Sequence, residues 1–126
     1  MENNSLSTTV RKVSPFANVI DIHGAVNSFT EKTLVDAYTQ AIEGNIRSVI
    51  LNFNDMTYMN SFGIGMLVML LIRAKREGKS ITGFGLSDHY KTVFELTRLD
   101  QAIPIYENES TALATAAPMD LPEREY

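Results

Sequence analysis

Residues 48–53 read SVILNF, a short, β-branched and nearly continuous apolar run, which predicts a strand buried in the middle of a sheet. A long apolar helical run, MLVMLLI, begins at Met66 and lies within a helix predicted from Ser61 to Glu77, with Arg73, Lys75 and Arg76 in its final turns and Gly78 just beyond. Between the two stands YMNSFGIG, residues 58–65. A buried strand that feeds directly into a long helix is one half of a β-α crossover unit. Such units imply right-handed connections and a mostly parallel sheet.

The rest of the chain repeats this alternation. Val10–Val13 reads as a weak edge strand and Ala17–Ile22 as a stronger one, followed by a turn at His23-Gly24. A helix starts at Asn27 or Ser28, carries Leu34, Ala37, Tyr38, Ala41 and Ile42 at helical spacing, and stops at Gly44. Ser80–Phe84 is a further strand, and Asp88 caps a third helix that ends near Leu99. Ile103–Tyr106 is an edge strand because it contains Pro104, and Ser110 caps a last helix over Thr111–Ala117. The predicted order is β-β-α-β-α-β-α-β-α, one α/β domain with a mixed, mostly parallel sheet flanked by about four helices. Residues 1–9 and 118–126 read as flexible tails around a 10–117 core, and 126 residues leave no room for a second domain.

Composition narrows the function. A net charge of −4 gives no overall attraction to phosphate backbones or anionic lipid, so neither nucleic acid nor a membrane surface is an expected partner. The apolar stretch from Ile64 to Ile72 is about half the ~18 residues a membrane span requires. The chain has no cysteine and two histidines, which removes thiol chemistry and makes a zinc site depend on carboxylates. No metal or cofactor is expected. The amino terminus, MENNSLSTT, shows no secretory signal, and a cytoplasmic location is expected.

Ser61 carries the functional question. At the first turn of a helix its hydroxyl lies beside unpaired amides and the positive end of the dipole, at the carboxyl end of a central strand where open α/β sheets place ligands. Gly63 and Gly65 are expected to clear side chains from the surface around it. On residues alone three roles stay open: ligand anchor, nucleophile and phosphate acceptor. A G-x-S-x-G elbow is absent, His23 and His89 cannot be placed as a base, and no lysine stands where a Walker loop needs one. The plainest reading is a helix cap with glycines that permit close packing.

Three longer segments add to this pattern: SVILNFNDMTYMNSFGIGMLV, KREGKSITGFGLS and HYKTVFELTRLDQAIPIYENESTALA. Together, from about residue 10 to 117, they resemble a STAS domain of the bacterial anti-sigma factor antagonist type. The usual signature of that family is Asp-Ser-Ser/Thr-Gly followed by an aliphatic residue and a second glycine. This chain has Asn60, Ser61, Phe62, Gly63, Ile64 and Gly65, so an amide replaces the acid and an aromatic ring replaces a small hydroxylated residue. The resemblance implies a protein that is not an enzyme, with Ser61 as the phosphorylation site. It implies two partners: a serine kinase that is also the anti-sigma factor, and a PP2C-type phosphatase that restores the binding form. Asp21, His23, Asn60, Phe62, Gly63, Ile64 and Met66 are the expected partner-binding residues. Met66 and Met69 read either as core or as an adaptable docking surface, with core the plainer reading. The alternatives are a small-ligand or nucleotide-binding STAS module without phosphorylation, and a hydrolase using Ser61.

Overall fold

The computed structural model describes residues 5–116. Five strands form one sheet in the order β1-β2-β3-β4-β5: β1 (Leu6–Lys12), β2 (Ala17–Val26), β3 (Ser48–Met59), β4 (Ser80–Phe84) and β5 (Ile105–Tyr106). β1 pairs antiparallel with β2, and every other pairing is parallel. The helices are α1 (Glu31–Ala41), α2 (Ser61–Arg76), α3 (Asp88–Leu96), the one-turn α4 (Leu99–Ala102) and α5 (Glu109–Ala116).

The two faces of the sheet carry unequal loads. Ile20, Ile22, Val49, Leu51, Phe53 and Ile81 point to the face where α1 to α4 lie and form the main core with Leu34, Leu67 and Phe94. Ala17, Val19, Ile50 and Phe84 point to the other face and are covered by Ala112 of α5. With both faces covered, β2 and β3 lose the apolar-polar alternation of a half-exposed strand.

Several boundaries differ from the sequence expectation. β1 begins at Leu6 rather than Val10, because Leu6 and Val10 alternate toward the main core and the segment finds a partner along its whole length in β2. Residues 6–9 are therefore strand, while residues 1–4 and 118–126 of the expected tails lie outside the described residues. β2 does not turn at His23-Gly24. It continues to Val26 through register shifts between Asp21 and His23 and between Gly24 and Ala25. Gly24 has φ +117° and a side-chain carbon there would meet the Ser5 carbonyl oxygen at 2.4 Å, so the glycine serves an irregular strand rather than a turn. The third helix is capped by Ser87, not Asp88. It stops at Leu96, and Arg98 in the left-handed region separates it from α4. Asn108, not Ser110, caps α5, its side-chain oxygen accepting the Thr111 amide at 2.9 Å.

Candidate functional site

The extended ends of β2 and β3 set the position of Ser61. Val26 and Met59 are the last paired residues of these strands, and the chain turns into a helix just beyond each. Asn27 opens the first with a reciprocal cap in which its own amide donates to Thr30 Oγ1 at 2.9 Å. Asn60 opens the second: its Oδ1 accepts the Gly63 amide at 3.0 Å and its carbonyl accepts the Ile64 amide at 3.1 Å. The amides of Ser61 and Phe62 are left without intrahelical partners, at the positive end of a helix of 16 residues. The Met59 amide donates to the Tyr90 hydroxyl at 2.9 Å, which ties α3 to this junction.

Ser61 is exposed as the first residue of α2. Phe62 beside it is 44% exposed. From there an apolar stripe continues along the outward side of the helix through Val68, Met69 and Ile72. Phe29, in the turn before α1, and Tyr58, on the exposed end of β3, are further large apolar side chains open to solvent in the segments that flank the two helix starts. Phe29, Tyr58, Val68 and Ile72 are not among the residues that the sequence pattern singles out for the site. The one signal for Phe29 was its place inside a capping turn, where a side chain has little to pack against.

Of the other expected site residues, some join Ser61 and some do not. Gly63 is buried, not open. A side-chain carbon there would lie 2.5 Å from the Val26 carbonyl oxygen and 2.8 Å from Met59 Cγ, so the glycine lets the first turn of α2 press onto β2 and β3. Gly65 is the exposed one, with nothing near its missing side chain. Met66 is 4% exposed and belongs to the main core, so it offers little outward surface; Met69, 66% exposed, holds the outward position. Ile64 is half-buried against that core. His23 is exposed, its Nδ1 3.2 Å from a carboxylate oxygen of Asp55.

Asp21 lies back along the sheet from Ser61. It pairs with Asn52, seven positions before Met59 and so roughly 20 Å back along the strand at ~3.3 Å per residue. Its carboxylate accepts two bonds from Arg11, at 2.6 and 2.9 Å, and one from Asn52 at 2.8 Å. Arg11 also reaches Glu109 at 2.8 Å, so the group fastens α5 to the sheet. The Arg11 bonds hold the Asp21 carboxyl below the usual carboxylate range, against the opposing effect of burial, and the two carboxylates hold the Arg11 guanidinium above its ordinary value.

The site is thus an exposed helix start at the carboxyl edge of a four-strand parallel core that carries one antiparallel edge strand. The family model described as "STAS domain" matches residues 9–112, and the chain belongs to that family. It is similar to the anti-sigma-B factor antagonist of Staphylococcus aureus (strain NCTC 8325 / PS 47), 25% identical over 88 residues that make up 70% of this chain and 82% of the relative. The fold is shared with an anti-sigma factor antagonist from Mycobacterium paratuberculosis, at TM-score 0.78 and 18% identity over 90% of this chain and 95% of that one. It is also shared with the Bacillus cell fate determinant SpoIIAA in its phosphorylated form, at TM-score 0.67 and 18% identity over 86% of this chain and 98% of that one.

Proposed function

We propose that this protein is an anti-sigma factor antagonist that acts as a phosphorylatable interaction switch. In its unmodified form it binds a serine kinase that is also the anti-sigma factor. Phosphorylation of Ser61 releases it, and a PP2C-type phosphatase resets it. The observation that carries this reading is the exposed Ser61 hydroxyl, set beside two unpaired helix amides and at the head of an exposed apolar stripe.

The physical logic is a difference between local and interfacial cost. A phosphate brings a charge of roughly −1.5 to −2. At the start of α2 the free amides and the dipole favour that charge by about 0.3–1 kcal/mol, so the domain stays folded. Against a partner covering Phe62 and the rest of the stripe, the same charge has to be desolvated or repelled, and complex formation is lost. Asn60 caps the helix without a charge, so nothing on that side chain opposes the arriving phosphate. The phosphate-cradle alternative is the weaker one, because one of its two glycines faces the Val26 carbonyl instead of a ligand.

The test is affinity capture from the native cell with wild-type, Ser61→Ala and Ser61→Asp baits, followed by phosphosite mass spectrometry. Wild type and Ser61→Ala are expected to retain a serine kinase and Ser61→Asp to lose it, with phosphate found on Ser61 of the wild type alone. A phosphate elsewhere on the chain, or equal retention by all three baits, refutes the switch.

A further inference from the structure

Beside the outward stripe, α1 and α2 leave a groove of about 330 Å³ between them, within the size range of small-molecule sites. Both helices run back from the carboxyl edge of parallel strands, so they lie side by side in the same direction. Val35 of α1 and Met69, Leu70 and Ile72 of α2 make its wall apolar. Its ends differ in charge. Glu31, the first residue of α1, stands at one end, and Arg73 and Arg76, in the last turn of α2, stand at the other. Arg73 is engaged: its guanidinium lies 5.1 Å above the Tyr38 ring, bonds Thr39 Oγ1 at 3.2 Å and pairs with Glu77 at 3.7 Å. Arg76 has no ion-pair or hydrogen-bond partner among the described residues.

We propose that this groove binds a free fatty acid of medium chain length, its carboxylate on Arg76 and its chain along Val35, Met69, Leu70 and Ile72. The groove between Met66 and Arg76 is roughly 15 Å long at ~1.5 Å of helix per residue, which suits an extended saturated chain. The flexible methionine wall adapts to a chain that has no fixed shape. The opposite charges fix the orientation, since Glu31 repels a carboxylate at the end where the methyl terminus lies. This binding is independent of the phosphorylation reading, although a bound chain would cover Met69 and Ile72 of the outward stripe.

Calorimetric titration of the full chain with dodecanoate, below its micelle concentration, tests the assignment. Saturable one-to-one binding is expected. Arg76→Glu should weaken it by about tenfold or more, the size of one charge-assisted hydrogen bond. Met69→Glu should weaken it as well, and Phe62→Ala should leave it unchanged. Dodecanedioate, which places a second carboxylate near Glu31, and the cationic dodecyltrimethylammonium should both bind more weakly. Arg76 and Met69 are exposed, so these variants keep the fold, which circular dichroism verifies. Absence of saturable heat overturns the proposal, as does equal affinity in Arg76→Glu or equal affinity for the cationic amphiphile.

Discussion

Met66 and Met69 stand within one turn of each other on α2, yet the first is 4% exposed and the second 66%. The same contrast holds for the two glycines. Gly63 is closed in by the Val26 carbonyl, whereas Gly65 faces open space. One side of this helix thus builds the core through Leu67, Leu70, Leu71 and Ala74, and the other presents apolar surface from Phe62 to Ile72. Apolar character on α2 therefore says little about burial. The phase of the helix decides, and the phase is set where Asn60 caps it and Gly63 lets it touch β2.

Substitutions on the two sides should separate them sharply. Leu67→Ala, at a site 1% exposed, is expected to lower the unfolding free energy by about 3 kcal/mol, and Met69→Ala to change it by less than about 0.5 kcal/mol. Urea titration of both variants measures the contrast, and equal losses would erase it. The glycines should differ in sign. Gly63→Ala forces a carbon against backbone and is expected to destabilise by about 1–3 kcal/mol, while Gly65→Ala should stabilise by about 0.5–1 kcal/mol through helix propensity. Thermal melts of the pair decide this, and a stabilising Gly63→Ala would place the helix in the wrong phase.

How much of this was legible in the sequence follows from which residues set each feature. The α/β alternation, the central strand from Ser48 and the start of α2 at Ser61 depend on local pattern and capping, and the sequence carries both. The faces of α2 do not. Its first twelve residues are almost all apolar or glycine, so no polar side marks the exposed stripe, and Met66 could not be told from Met69 before the packing was seen. His23-Gly24 looks like a turn, but pairing with β1 on one side and β3 on the other carries β2 through it. Asp21 enters the expected site only through the family resemblance, which brings the His23-Gly24 loop close to the phosphorylation site. Its partners, Arg11 and Asn52, are 10 and 31 positions away, and Arg11 reaches on to Glu109, so the group belongs to the α5 side of the sheet.

That ion group gives the smallest of the expected effects and sharpens the same distinction from the other face. Because the Asp21 carboxyl is held low in the folded chain, its contribution to stability is fully present above the unfolded value of about 3.9 and is lost as pH falls through the lower folded value. Asp21→Asn should flatten the acid limb of a pH-stability profile below about pH 4 and leave the affinity of the α2 surface for its partner unchanged at neutral pH. A change in that affinity would bring Asp21 back into the binding site.

The central claim is that Ser61 switches a surface without disturbing the scaffold. Its most direct measurement is the affinity of Ser61→Asp and wild type for the purified cognate anti-sigma factor, with the melting temperature of each recorded alongside. The account predicts at least about a tenfold weaker complex for Ser61→Asp, the cost of placing a charge in an apolar interface, at an unchanged melting temperature. Equal affinity, or a loss matched by a fall in melting temperature, would contradict it.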